Sequence, residues 1–248
     1  MSENKIYLCA ISNIESGTCN EDCKFCTQSV KYKADIQRYR RKEIEDIVKE
    51  AIIARKNRAI GFCLVTAGTG LDDKRLDYVC RAASAIKKEL GDELSLIACN
   101  GIATLEQLKE LKKHGIENYN HNLETAQEFY NEICTTHPWE DRYQTCLNAK
   151  EAGLQLCTGG IFGLGETQEN RISMLKSIAS LEPMSVPINF FHPNEALPIV
   201  KNSISREEAF ELIKLSREYL PNQMIMIAGG RELMFKEQEY DVFKYGAN

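Results

Sequence analysis

No apolar run in this chain approaches the ~18 residues that a membrane-spanning helix needs. The start, Met1-Ser2-Glu3-Asn4-Lys5, lacks the basic opening and apolar core of a signal peptide. These two absences point to a cytoplasmic protein. A cationic surplus is missing too, with 31 Lys and Arg against 36 Asp and Glu and a net charge of −5. That balance argues against a general nucleic-acid binder or an anionic-membrane binder. There is no low-complexity stretch and no Pro/Gly/Ser linker, so residues 1–248 read as a single domain. The 43% hydrophobic and 27% charged residues are ordinary for a globular chain able to bury a core. Cysteine is plentiful, with ten in 248 residues, yet none lies in the last 91. Without a secretion signal, a disulfide framework is a poor reading, and metal or redox chemistry is the better one.

The hydrophobic pattern repeats a short apolar run, a loop and a longer amphipathic stretch. Strands are expected at Ile6–Ile11, Ile60–Thr66, Leu94–Cys99, Ile116–His121, Leu154–Thr158, Val186–Phe191 and Met224–Ala228. Helices are expected over Lys42–Arg55, Lys74–Leu90, Leu105–His114, Ala126–Cys134, Trp139–Glu151, Gln168–Leu181 and Arg206–Leu220, with a last helical stretch through about Phe243. Gly115 suits a helix C-terminus. Apolar strands alternating with helices imply βαβ units and a parallel sheet. The expected fold is α/β, a (β/α)8-type TIM barrel that lacks its eighth strand because the chain ends early. In such barrels the chemistry sits at the C-terminal ends of the strands. Cys63, Cys99, Asn100, Asn120–Glu124, Cys157, Asn189 and Arg231 all fall on or near such ends.

Cys19, Cys23 and Cys26 lie in the loop after the first strand with the spacing C-x3-C-x2-C. Three thiolates so close together can wrap one metal centre. A structural zinc site normally wants four protein ligands, and no fourth Cys or His is nearby in the sequence. An iron–sulfur cube on three cysteines leaves one iron open to an outside chelator. The spacing, with Phe25 before the last cysteine, resembles the radical S-adenosylmethionine superfamily. There the open iron of a 4Fe–4S cluster holds the methionine moiety, and reductive cleavage releases a 5′-deoxyadenosyl radical.

A narrower resemblance covers essentially the whole chain. The stretches Ser16-Gly17-Thr18-Cys19 through Cys26-Thr27-Gln28-Ser29, Phe62-Cys63 and Tyr119-Asn120-His121-Asn122-Leu123-Glu124 belong to it. So do Cys157-Thr158-Gly159-Gly160-Ile161, Gly163-Leu164-Gly165-Glu166-Thr167, Val186-Pro187-Ile188-Asn189 and Ala228-Gly229-Gly230-Arg231-Glu232. This pattern resembles the biotin synthase family. The resemblance implies a sulfurtransferase that inserts sulfur into dethiobiotin by radical chemistry. No side-chain acid or base can remove protons from the unactivated carbons involved. It implies 4Fe–4S ligands at Cys19, Cys23 and Cys26. It also implies a second, sacrificial 2Fe–2S cluster on Cys63, Cys99, Cys157 and Arg231, although arginine is a rare metal ligand. S-adenosylmethionine contacts are implied at Asn122, Glu124, Arg142, Gly159 and Gly160, a tight turn accounting for the two glycines about as well. Substrate contacts are implied at Asn120, Asn122 and Asn189. The partners implied are a flavodoxin- or ferredoxin-like electron donor and a second copy in a homodimer, with no nucleic acid or membrane.

Among the remaining cysteines, Cys80, Cys134 and Cys146 read as packing or surface residues. Cys9 approaches the second cluster if it faces inward. His121, between two asparagines, reads as structural. Gly163-Leu164-Gly165-Glu166 lacks the Lys-Ser/Thr ending of a triphosphate loop. The chain departs from the family at Gly61 and His137, where many members have Arg, and at Glu124, where Asp is commoner. Family members also continue past Asn248 into a last strand, so the resemblance implies a C-terminally truncated barrel. The alternatives are another radical enzyme, such as a maturase or lyase, and an inactive iron–sulfur-binding relative.

Overall fold

The computed structural model describes residues 7–200 and 204–248. Its centre is one all-parallel sheet. The strands are β1 (Cys9–Asn13), β2 (Gly61–Val65), β3 (Ser95–Cys99), β4 (Ile116–Asn120), β5 (Gln155–Cys157), β6 (Gly160–Phe162), β7 (Ser185–Phe190) and β8 (Met224–Ile227). The first strand begins later than the apolar pattern suggested, and Ile6 lies outside the described residues. The expected fifth strand is broken in two. β5 pairs with β4 and touches β7 at Ser185, while β6 continues along β7 from Ile188. The sheet therefore has seven staves, one of them kinked at Thr158-Gly159, and it forms a partial barrel with β1 and β8 at its margins.

The helices are α1 (Ile44–Lys56), α2 (Asp73–Leu90), α3 (Leu105–Lys113), α4 (Tyr130–Ile133), α5 (Trp139–Glu151), α6 (Gln168–Ser180), α7 (Arg206–Tyr219) and α8 (Arg231–Phe235). Their starts follow side-chain chemistry. Asp72 accepts from Arg75 N, and Thr104 and Gln107 form a reciprocal capping box at α3. Gly115, at φ 93°, follows the α3 terminus and donates to Lys112 O. The stretch expected as a final helix resolves into α8 and two short 3-10 turns, because Lys236, at φ 48°, breaks the helix after Phe235.

Side chains alternate across the sheet, which separates core from site. Phe62, Leu64, Leu96, Ala98, Tyr119, Leu156, Val186, Ile188 and Ile225 point to the helices and are all buried. Each fully buried aliphatic side chain on this layer stabilises the fold by roughly 1.5–3 kcal/mol. The opposite face is the barrel interior. Register places Cys9 beside Gly61, Ile11 beside Cys63, Cys63 beside Ile97, Val65 beside Cys99, and Asn120 beside Cys157. The sheet's pairing thus turns thiols from β2, β3 and β5 onto one inner surface.

Candidate active site and metal centres

The cysteine-triplet loop is tied at many points. Gly17, at φ 66°, turns the chain into it, and Gln28 Oε1 accepts from Gly17 N at 2.6 Å and Ser16 Oγ at 3.2 Å. Thr18 Oγ1 donates to Ala67 O at 2.9 Å, anchoring the loop to the segment after β2. Cys19 bonds both ways with the Gln28–Val30 backbone, and Cys26 N donates to Cys23 O. On its outer side the loop docks onto residues 133–136. Lys24 N reaches Ile133 O at 2.8 Å, and Asp22 accepts from Thr135 N at 2.9 Å and Thr136 N at 3.3 Å. Burial pushes the Asp22 carboxyl up, but the bonds from Thr135 and Thr136 together outweigh it and hold the carboxyl far below its usual range. Cys19 and Cys23 are buried and Cys26 partly so. Burial raises the Cys19 thiol and takes Cys26 to about 11. Without metal these thiols are protonated, so a metal must displace their protons on binding.

Beside the loop, Asn122, Glu124, Arg142, Gly159 and Gly160 converge. Arg142 projects from α5 into the interior, where its Nη1 lies 3.0 Å from Asn122 O and 3.4 Å from Glu124 Oε1, and its Nε 2.7 Å from Tyr130 Oη. Burial works against its charge, but Glu124 and Tyr130 outweigh that and raise its pKa. Burial also raises the Glu124 carboxyl, with Arg142 and Asn122 pulling the other way. Glu124 sits at φ 69°, an uncommon conformation for a residue with a side chain. It is held there because its carbonyl takes Ile161 N at 2.8 Å. Asn122 Oδ1 accepts from Gly159 N at 3.2 Å. Both glycines are required by crowding. A Cβ on Gly159 would lie 1.9 Å from Pro187 O, and one on Gly160 would lie 2.3 Å from Met174 Sδ. The close backbone approach is to β7 and α6, and neither glycine is at positive φ.

The inner face carries the second set of thiols. Cys63 sits mid-strand in β2, while Cys99 and Cys157 end β3 and β5. Burial drives all three upward, Cys99 to about 12 and Cys157 to about 11, and the neighbouring thiols push Cys63 further. Cys9 faces inward beside them. A Cβ on Gly61 would come within 2.9 Å of its Sγ, and its thiol acts on both Cys63 and Cys157. Asn120 Oδ1 is buried here and has no hydrogen-bond partner among the described residues. Asn189 is already engaged. Its Nδ2 donates to Gly160 O at 3.1 Å and its Oδ1 accepts from Gly229 N at 2.8 Å, which leaves one donor and one acceptor site over. Arg231 follows β8 on α8, half-exposed, with its Nε 3.7 Å from Glu239 Oε2.

Two other readings receive a structural reason. His121 is buried, its Nε2 unpartnered among the described residues, and burial followed by Arg142 and His137 keeps it neutral. The Gly163–Glu166 loop holds its own anion. Glu166 accepts from Gly163 N at 2.9 Å and Leu164 N at 2.7 Å and pairs with Arg171 at 2.8 Å. Cys134, expected as a packing or surface residue, is buried, and its Sγ lies 3.5 Å from Cys23 Sγ and 3.5 Å from His137 Nδ1. The only signal of this contact in the sequence was His137 standing where arginine is common.

Similarity to known proteins follows this geometry. Residues 14–178 match the model of the radical SAM superfamily, and residues 187–248 match that of the biotin and thiamin synthesis associated domain. The chain is 84% identical to a biotin synthase of Aliarcobacter butzleri over its whole length, spanning 88% of that protein. It is 66% identical to a biotin synthase of Nitratiruptor, with 98% of this chain and 87% of the relative covered. Among solved structures, methylornithine synthase superposes with a TM-score of 0.82 at 21% identity, over 100% of this chain and 72% of that one. A hydrogenase maturase from Carboxydothermus hydrogenoformans gives 0.78 at 21%, over 97% and 58%. These two likenesses concern the fold alone. No helix among the described residues is long and apolar enough to cross a membrane.

Proposed function

The chain belongs to the biotin synthase family of the radical SAM superfamily, and from that premise we propose how its own residues divide the conversion of dethiobiotin to biotin. The observation that carries the proposal is the presence of two separate thiol sets in one interior. One is on the loop at Cys19, Cys23 and Cys26, and the other is on the inner sheet face at Cys63, Cys99 and Cys157. The loop set fits a 4Fe–4S cluster, whose three-cysteine form leaves an iron open for S-adenosylmethionine. The inner set fits a 2Fe–2S cluster, with Cys63 and Cys157 buried and Cys99 partly so, and Cys157 accepting from the Ser185 side chain. Arg231 holds the fourth position by its place in the family pattern. When bound, the first cluster and S-adenosylmethionine supply a carbon radical and the second cluster supplies the sulfur.

The protein's part is position. Arg142, fixed by Tyr130 and charged at any working pH, is suited to the methionine carboxylate. Asn122 and Glu124 offer acceptors to ribose hydroxyls, and the packed Gly159-Gly160 backbone sets the floor under them. Asn120, with a buried acceptor still unpartnered, suits a ureido N–H of dethiobiotin, and Asn122 and the remaining sites of Asn189 complete that contact. The substrate has to lie between the adenosyl group and the second cluster, within near-attack distance of both. We read residues 1–248 as one barrel domain, because β7 and β8 from the second matched region join the same sheet. A flavodoxin- or ferredoxin-like protein supplies electrons, and the working form is a homodimer.

The test is anaerobic turnover of the fully reconstituted chain with dethiobiotin, S-adenosylmethionine and a reductant. Biotin and 5′-deoxyadenosine should appear together. Cofactor cleavage that dethiobiotin does not stimulate, with no biotin formed, would contradict the reading.

A further inference from the structure

Cys23 has a second set of neighbours besides its loop partners. Among the described residues, the ligand atoms of Cys23, Cys134 and His137 all lie within 4.8 Å of one another, and all three residues are buried. The separations are 3.5 Å for Cys23 Sγ to Cys134 Sγ and 3.5 Å for Cys134 Sγ to His137 Nδ1. Tetrahedral zinc with bonds of about 2.3 Å to sulfur and about 2.0–2.1 Å to nitrogen requires roughly 3.8 Å between sulfurs and roughly 3.5 Å between sulfur and nitrogen. Both of these separations are already close to the required ones, and the third pair lies within 4.8 Å. Glu21 Oε2 lies 2.7 Å from the same His137 nitrogen, a hydrogen bond that zinc would replace; Glu21 is not one of the grouped donors, and the fourth position of the tetrahedron is open to water. The outer shell is also built. Tyr130 Oη meets His137 Nε2 at 2.7 Å, and Thr69 Oγ1 donates to the other Glu21 oxygen. A metal-bound histidine ordinarily has such a partner on its second nitrogen.

We propose that Cys23, Cys134 and His137 form a zinc site that competes with the radical cluster for Cys23. The competition half rests on the reading of Cys23 as a cluster ligand given above. The zinc-binding half stands on the three donors alone. A Cys23 thiolate drawn onto zinc beside Cys134 is withdrawn from the loop set, which is left with only Cys19 and Cys26. Zinc binding expels the thiol protons of Cys23 and Cys134 and the proton shared by His137 and Glu21. The site is therefore a checkpoint on cluster loading, in which the zinc-filled chain is folded and cannot assemble its first cluster.

The experiment uses the 248-residue chain, reduced and iron-free, under anaerobic conditions. Zinc affinity is measured against a chromophoric chelator, and cobalt(II) reports thiolate ligation by its charge-transfer absorption. Wild type should bind one zinc. Cys134→Ala and His137→Ala should each weaken it by at least about tenfold, with Cys134→Ser and circular dichroism confirming that the variants fold. Cys19→Ala should leave the affinity within about twofold of wild type, since the proposal gives Cys19 no zinc contact. Equal affinity in wild type and Cys134→Ala, or a loss in Cys19→Ala as large as in Cys134→Ala, overturns the site. A second arm follows cluster formation from iron and sulfide. Prebound zinc should slow it in wild type and not in Cys134→Ala, and an unchanged rate with zinc retained overturns the competition. A chain that forms no cluster even without zinc contradicts the functional reading instead, and the zinc affinities still decide this one.

Discussion

The two thiol sets of this barrel are built by opposite means. Cys19, Cys23 and Cys26 stand within eight residues on a loop with little regular structure, and side-chain bonds hold that loop from both ends. Cys63, Cys99 and Cys157 are scattered over 95 residues and meet only because parallel register turns them to one face. A loop site depends on its ties and a sheet site depends on its pairing. Changes to each should therefore fail differently, the loop by losing metal and the sheet face by losing fold or one cluster.

The largest expected effect follows from deleting a loop thiol. Cys26→Ala should abolish 5′-deoxyadenosine formation, whereas Cys157→Ala should lose the second cluster and biotin while retaining measurable cofactor cleavage. Equal behaviour of the two variants would erase the division between the sets. Next comes the Arg142–Glu124 pair, where both side chains are nearly enclosed, at 12% and 13% exposure. Arg142→Ala leaves a buried carboxylate unpaired and should destabilise the chain by about 3–5 kcal/mol in urea unfolding. An unchanged midpoint would show the pair to be solvated. Gly159→Ala forces a methyl against Pro187 O and should cost about 1–3 kcal/mol by the same measurement. A fold that accepts it freely would contradict the crowded kink of the fifth stave. The smallest effect is on the ties. Thr18→Val removes one bond to Ala67 and should cost about 1 kcal/mol, with cluster content falling before stability does.

The cluster-free chain also has a signed pH dependence. Thiols raised from 9.0 to about 11 for Cys26 and Cys157 and about 12 for Cys99 favour the neutral form in the folded state. Their contribution is fully present below pH 9 and is lost as the pH climbs through 11 to 12. Thermal unfolding of the apo chain should thus weaken above pH 9, while iron uptake, which needs thiolates, improves over the same range. A flat apo profile would show that burial does not shift these thiols.

Much of this is legible in the amino-acid sequence. The seven staves and most helix limits follow from apolar periodicity, and α5 begins at Trp139 and ends at Glu151 as the pattern indicates. The loop triplet declares itself by spacing. The break in the fifth stave does not, because it arises where the backbone of Thr158-Gly159-Gly160 crosses from β4 toward β7, a contact between distant segments. Cys134 was illegible for the same reason. It looks like one more apolar position on a helix until the loop bearing Cys23 is laid against it, 111 residues away in sequence. Arg142 resembles a surface helix residue, and only the burial of Tyr130 and Glu124 around it shows otherwise.

The most direct test of the two-site account is Mössbauer spectroscopy with iron and sulfide counting on the anaerobically reconstituted chain. The account predicts about six irons per chain, divided between a 4Fe–4S and a 2Fe–2S signal. Cys157→Ala should remove only the second signal. A single cluster type, or a Cys157→Ala spectrum identical to wild type, would contradict it.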